Sequence, residues 1–176
     1  MARIPYIDPE TAPAELQETI ALIRRERGGN VSNLFRMLLN SPPIAEGWIH
    51  MGSAVRFRGT LDGAIRELAI CRVALTNGAD YEFQAHAPFA IKDGATQAQI
   101  DALRDWRGSD VYTPAQRVAL ELTDSMTSQL DADDALFSSV REHFNERDTL
   151  ELVTTIGFNN MVSRVLRTMR VDLEAH

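Results

Sequence analysis

Apolar residues recur along this chain every three to four positions, which is the spacing of one face of an α-helix. Such stripes are formed by Leu16, Ile20 and Ile23, by Ile44, Trp48, Met51 and Val55, and by Val118, Leu122 and Met126. No segment shows a sustained alternation of apolar and polar residues between hairpin turns, which is the pattern of a β-strand. We therefore predict an all-α fold, a bundle of about eight helices around one core.

Start and stop signals place the helix ends. The segments TQAQ (96–99) and TPAQ (113–116) both match a capping box, in which a threonine and a glutamine three residues later satisfy the first backbone N–H groups. Gly78 is expected to end one helix, and Asp80 to cap the next. The segment LVTTIGFNN (152–160) is rich in β-branched residues, but its length and its charged flanks favour a helix from about Asp148 to Met169.

Charge and composition narrow the partners. The 176-residue chain has a formal charge of −7, its single lysine is Lys92, and no basic block could follow a phosphate backbone, so nucleic acid is an unexpected partner. The first residues lack the apolar core of a secretory signal, and no run is long and apolar enough for a bilayer. We expect a soluble, cytoplasmic protein with a small-molecule substrate and no membrane partner. The single cysteine, Cys71, excludes an internal disulfide and a two-cysteine redox site.

The richest polar cluster lies in GADYEFQAH (78–86). Glu82 and His86 are four residues apart, so they share one face of a helix, and Tyr81 flanks that face. The preceding helix carries Glu67, and the short connection around Gly78 predicts that the two helices pack antiparallel. We expect this arrangement to bring Glu67 back toward Glu82 and His86.

RELAICRVALTNGADYEFQAHAPFAIKDGATQAQIDALR, followed by TPAQRVALELTDSM, resembles the carboxymuconolactone decarboxylase family, whose other branch is alkylhydroperoxidase D. The resemblance is strongest over about 48–127 and implies one domain over 1–176 with an alkylhydroperoxidase D-like fold. The peroxidase branch has a glutamate, a C-x-x-C pair and a histidine. The glutamate and histidine match Glu67 and His86, whereas the cysteine positions fall on Ala79 and Glu82. A thiol peroxidase is therefore disfavoured, because disulfide chemistry needs two thiols.

The resemblance then implies a lyase without cofactor or metal that acts on a small unsaturated carboxylic acid or lactone. His86 would be the general acid and base, oriented by Glu67, while Glu82 would share a proton and Tyr81 would donate to the oxyanion. Substrate-binding candidates are two sets of side chains near apolar helix segments, the arginines Arg58, Arg72 and Arg164 and the amides Asn159 and Asn160.

Structural interpretations remain open for each of these residues. Glu67 suits an ion pair with a nearby arginine such as Arg66 or Arg72, and Glu82 suits the positive end of a helix. Two glutamates and a histidine also resemble a metal site, although a second histidine is missing. The alternative function is a ligand-binding homologue without turnover. Finally, the apolar residues Trp48, Phe57 and Trp106 are expected on the surface, which together with the family resemblance predicts a homo-oligomer.

Overall fold

A computed structural model describes residues 2–174 of the chain. The regular secondary structure in this part is helical. Nine α-helices and two short 3₁₀ segments occur in this part, and it contains no β-strand. The all-α prediction is therefore confirmed. The backbone divides into two compact units, one formed by residues 2–58 and 166–174 and the other by residues 59–165. The predicted single domain over 1–176 stays a prediction, and residues 1, 175 and 176 lie outside the described residues.

The first unit begins with a 3₁₀ segment (Ala14–Leu16) that leads into helix α1 (Gln17–Glu26), followed by α2 (Asn33–Leu38) and α3 (Pro42–Phe57). Helices α1 and α2 both pack on α3. The buried side chains Ile20, Ile23, Leu39 and Ile49 belong to this unit. Burial of such a stripe is the main force that holds short helices together in water.

The second unit contains α4 (Gly63–Asn77), α5 (Asp80–Lys92), α6 (Gln97–Ala102) with a 3₁₀ extension (Leu103–Gly108), α7 (Pro114–Ser128) and α8 (Asp134–His143). Helix α9 (Glu146–Met169) contributes its residues up to 165. Helix α4 packs against both α5 and α7. Its residues Ile65, Ala69 and Val73 enter one apolar cluster, and Ala64, Leu68 and Cys71 enter another. Helix α4 is thus the buried centre of the unit.

The local signals in the sequence act largely as predicted. Thr96 with Gln99, and Thr113 with Gln116, form complete capping boxes at the starts of α6 and α7. The β-branched segment is part of α9, because hydrogen bonds along a long helix override the local strand preference. Asp80 differs from its prediction. It is the first residue of α5, and Ala79 occupies the capping position without a side-chain hydrogen bond.

Gly78 explains how α4 and α5 lie side by side. Its φ of 62° and ψ of 38° are left-handed, a conformation that glycine adopts without a steric cost. The N–H groups of Gly78 and Ala79 donate to Leu75 and Ala74, so the chain leaves α4 and enters α5 within two residues. This tight connection sets the two helices antiparallel.

The expected surface positions of three aromatic residues need correction. Phe57 is exposed, with 57% of its surface accessible, whereas Trp106 is 2% accessible and Trp48 is also buried. Trp106 is covered because its indole N–H donates to Asp124 and two arginines, Arg107 and Arg117, lie over its ring. Of the three aromatic residues that were predicted to support self-association, only Phe57 is exposed. Self-association stays a prediction.

Candidate active site

Glu67 and His86 form the shortest contact of the buried polar cluster. Oε2 of Glu67 lies 2.6 Å from Nδ1 of His86, and the two residues come from the antiparallel pair α4 and α5. Glu67 is fully buried and His86 nearly so. A carboxylate can only accept hydrogen bonds, so the ionised form of Glu67 requires that Nδ1 carry the ring proton. With Glu67 ionised, the contact fixes both the orientation and the tautomer of the imidazole.

Glu82 occupies the other side of the same ring. Its Oε1 lies 3.4 Å from Nε2 of His86, one helical turn away on α5, and its side chain is buried. The imidazole thus lies between two carboxylates, that of Glu67 at 2.6 Å and that of Glu82 at 3.4 Å. The remaining ring face has an aromatic neighbour, because the Phe89 ring lies 6.1 Å from that of His86 at 55°. Nε2 is the ring nitrogen that Glu67 leaves available for proton transfer.

Arg66 extends this contact into a chain of charges. Its Nε donates to Oε1 of Glu67 at 3.3 Å, and its Nη2 lies 2.5 Å from Oδ2 of Asp93. The order is therefore Asp93, Arg66, Glu67, His86, Glu82. Burial of a carboxylate is costly unless charge and hydrogen bonds compensate it, and Arg66 together with His86 supplies both at Glu67. The sequence suggested Arg66 as an ion-pair partner of Glu67, but gave no signal for its second contact, with Asp93.

Cys71 lies one turn after Glu67 on α4 and is fully buried. Burial raises the pKa of its thiol far above the usual range, and the negative charges of Glu67 and Glu82 raise it further. A thiol of this kind is neutral at physiological pH and is a poor nucleophile. The buried cysteine does not replace the missing C-x-x-C pair.

Tyr81 and Arg72 are two further residues of the predicted site. Tyr81 lies half-buried in the first turn of α5, and its oxyanion role stays a prediction. Arg72 forms a two-point contact with Asp124, Nε to Oδ1 at 2.6 Å and Nη2 to Oδ2 at 3.1 Å. Its Nη1 donates to the carbonyls of Leu103 and Arg104. The fork that was predicted to hold a substrate carboxylate is therefore filled by Asp124, which supports a structural role for Arg72.

The other two predicted arginines also have protein contacts. Arg58, in the first unit, lies exposed with Nη2 3.2 Å from a carboxylate oxygen of Glu26. Arg164 is exposed on α9 and donates from Nη1 to the backbone carbonyl and the side-chain oxygen of Asn160, both at 2.8 Å. A substrate-binding role for Arg58 and Arg164 stays a prediction.

The two predicted amides are buried in the second unit and find protein partners. Asn159 donates to the carbonyl of Thr155, and Asn160 donates to the Thr127 hydroxyl at 3.0 Å. The Asn160 oxygen accepts from Asn77 at 3.0 Å, so this side chain links α4, α7 and α9. These contacts satisfy the buried amides without a ligand, and a substrate role for Asn159 and Asn160 stays a prediction.

Within residues 2–174, no group of three or more histidine, cysteine, aspartate or glutamate side chains is arranged to hold a metal ion. No helix in the same range has the length and the apolar character needed to cross a bilayer.

Comparisons with known proteins agree with this architecture. The model of the carboxymuconolactone decarboxylase family matches residues 42–125, which include the α4 and α5 pair. The protein YdfG of Bacillus subtilis (strain 168) is 32% identical over 110 residues, which is 61% of this chain and 75% of YdfG.

Two solved structures share the fold at low sequence identity. A peroxidase-related protein of Ralstonia eutropha JMP134 with an alkylhydroperoxidase AhpD core superposes with a TM-score of 0.83 at 20% identity, over 98% of this chain and 92% of that one. The debrominase Bmp8, as a variant in complex with 2,3,4-tribromopyrrole, superposes with a TM-score of 0.78 at 17% identity, over 99% of this chain and 95% of that one.

Proposed function

The chain belongs to the carboxymuconolactone decarboxylase family, and we propose that it is a cofactor-free lyase that decarboxylates a small unsaturated acid or lactone. The observation that carries this proposal is the His86 ring, held by Glu67 at 2.6 Å and flanked by Glu82 at 3.4 Å. An imidazole gains and loses a proton near neutral pH, and two carboxylates beside it stabilise its cation. The cluster is suited to proton transfer and contains no thiol pair.

The proposed step moves one electron pair and one proton. The bond from the substrate carbon to its carboxylate breaks, CO2 leaves, and the electron pair enters the conjugated carbonyl as an enolate. Nε2 of the His86 cation then protonates the carbon, while Glu67 keeps the proton on Nδ1. Glu82, beside Nε2, relays the next proton from solvent to the ring. Tyr81 is proposed as the donor to the enolate oxygen, where charge accumulates in the transition state.

The burial of Glu67 supports the role proposed for it. Glu67 is 0% accessible, so its attraction to the imidazole cation is screened less than that of a surface pair. Arg66 contacts its second oxygen and favours the ionised carboxylate. An ionised Glu67 is the form that can orient His86 and compensate its positive charge during the reaction.

The test is an assay of CO2 release from carboxylated unsaturated lactones, with wild type compared with His86→Gln and Glu67→Gln. We expect each variant to lose about a hundredfold or more in kcat, which is the usual contribution of a positioned acid or base. Glu142→Gln, at an exposed position on α8, is the matched control and should keep full activity. Turnover that survives both site substitutions unchanged contradicts the roles of His86 and Glu67.

A ligand-binding homologue without turnover is the second candidate. The debrominase with the same fold is complexed with a planar unsaturated ring, which supports a planar ligand for this chain under either function. A thermal-shift screen of unsaturated acids, followed by product analysis of every stabilising compound, separates the two. Stabilisation without any product across the whole screen favours the binding function over the lyase.

A further inference from the structure

In the first unit, the guanidinium of Arg27 has no carboxylate partner among the described residues. Arg27 follows α1, and its guanidinium carbon lies 5.6 Å from the ring centre of Phe35 and 5.4 Å from that of Phe57. Phe35 is buried, whereas Phe57 is largely exposed. The aromatic contacts hold the guanidinium in place, and Arg27 as a whole is half-buried.

One edge of the Arg27 fork is already bonded to the protein. Nη1 donates to the carbonyl of Glu26 at 2.9 Å and to Oγ of Ser53, a buried residue, at 3.1 Å. For Nε and Nη2, no acceptor lies within hydrogen-bond distance among the side chains and carbonyls of residues 2–174. These two nitrogens form the edge that typically binds a carboxylate with two parallel hydrogen bonds.

The electrostatic surroundings of Arg27 also bear on this edge. Burial, and after it the nearby charge of Arg56, lower the pKa of Arg27 to about 10, whereas the charge of Glu26 acts in the opposite direction. The Glu26 carboxylate pairs with Arg58 at 3.2 Å and with Arg25 at 3.8 Å, and within the described residues it forms no salt bridge with Arg27. A half-buried guanidinium with an open edge of this kind is suited to pairing with an anion.

Arg72 shows what a completed fork looks like in the same chain. Its Nε and Nη2 bind the two oxygens of Asp124, and its Nη1 donates to backbone carbonyls. Nη1 of Arg27 likewise donates to the protein, but its Nε and Nη2 have no acceptor among the described residues. Arg72 therefore has a carboxylate at its Nε and Nη2 edge, whereas Arg27 has none there among the described residues.

We propose that the Nε and Nη2 edge of Arg27 binds the carboxylate of a small planar acid, whose apolar body packs on the exposed ring of Phe57. The carboxylate takes the place that Asp124 takes at Arg72, and Arg56, whose guanidinium carbon lies 4.9 Å from the Phe57 ring centre, adds positive charge. This site lies within the first unit and uses neither Glu67 nor His86. It does not rest on the proposed lyase function.

The experiment is an NMR titration of wild-type protein labelled with ¹⁵N-arginine, in which each Nε–H group reports its own contacts. The probes are benzoate, the uncharged benzamide and inorganic phosphate. The Arg27 signal is assigned as the one missing from Arg27→Lys. We expect benzoate to shift it saturably, benzamide to leave it unchanged, and phosphate to bind about tenfold more weakly, since a tetrahedral anion does not pack on the ring.

Variants test the same site by calorimetry. Arg27→Lys keeps the charge but removes the fork, so it should weaken benzoate binding about tenfold. Arg25→Gln is the control two residues away, and Glu67→Gln tests independence from the Glu67–His86 pair; both should bind benzoate as wild type does. The Arg72 Nε–H signal should stay fixed because Asp124 occupies that edge.

Three outcomes overturn the proposal. One is an Arg27 signal that does not shift while benzoate binds elsewhere or nowhere. The second is a set of equal, non-saturating shifts at all exposed arginines, which indicates general screening. The third is phosphate binding as tight as benzoate binding, which replaces the carboxylate assignment with a general anion site. Because the titration uses wild-type protein, poor folding of a variant does not prevent the decision.

Discussion

Helix α4 carries two charged networks that begin five residues apart, at Glu67 and at Arg72. The Arg72 network joins α4 to α7 and to the 3₁₀ segment after α6, with Asp124 as its centre. Asp124 accepts from both nitrogens of the Arg72 fork, from the Trp106 indole and from Arg107. Each of these groups has one protonation state near neutral pH.

The Glu67 network joins the same helix to α5 and has a different composition. Carboxylates are in excess, since Glu67, Glu82 and Asp93 accompany one arginine, Arg66, and one imidazole, His86. His86 brings an imidazole, a group that can donate a proton from one ring nitrogen and accept one at the other. A network of fixed charges can do little except hold helices together, whereas a network with a titratable centre can store and deliver a proton.

The largest expected effect is on the fixed network. Asp124→Asn should lower the free energy of unfolding by about 3 kcal/mol, because it leaves the largely buried Arg72 without its carboxylate. Urea unfolding followed by circular dichroism at pH 7 measures this value. Glu142→Gln, an exposed change on α8, is the control and should have little effect. A loss below about 1 kcal/mol would show that the network contributes little net stability.

The stability difference between wild type and Asp124→Asn should also depend on pH. Burial acts to raise the pKa of Asp124, but hydrogen bonds from Arg72, Arg107 and Trp106 outweigh it, so the folded pKa lies below the usual value. The stabilisation is then present above the unfolded pKa of about 3.9 and is lost as the pH falls through the folded value. The stability difference between wild type and Asp124→Asn should therefore shrink in acid, below about pH 4. A difference that is constant from pH 7 to pH 3 would contradict this linkage.

A smaller loss is expected at the titratable network. Glu67→Gln should cost about 1 kcal/mol, because a glutamine amide oxygen can still accept a hydrogen bond from the His86 ring and Arg66 retains Asp93 as its partner. Unfolding in urea, compared with Asp124→Asn under identical conditions, gives the measurement. If Glu67→Gln destabilises the protein as much as Asp124→Asn does, the Glu67 network is as structural as the Arg72 network.

The loss of stability expected at Cys71, which lies on α4 between the two networks, is no larger. Cys71→Ala should cost about 1 kcal/mol, the value of one small buried group, and should leave turnover unchanged. The native thiol should also resist alkylation at pH 7, because its raised pKa and its burial keep it neutral and covered. Mass spectrometry after alkylation with and without urea checks this. Rapid alkylation of the native protein would contradict the buried, neutral state.

Several parts of the candidate site were predictable because they depend on short sequence distances. His86 and Glu82 share a helical face through their spacing alone, and the turn at Gly78 predicts that Glu67 approaches them. The Arg66 contact with Asp93 was not predictable. It depends on how α4 is rotated about its own axis and on where α5 ends, 27 residues later in the chain.

The sequence alone determined the helices, both capping boxes and the family resemblance, because these depend on hydrogen bonds and side-chain contacts within a few residues of each other. The tertiary structure decided which charged groups pair. Arg72 meets Asp124 across 52 residues, and Trp106 is buried under arginines rather than exposed. Such pairs form where helices dock, since the cost of burying a charge is offset by whichever opposite charge the packing brings within reach.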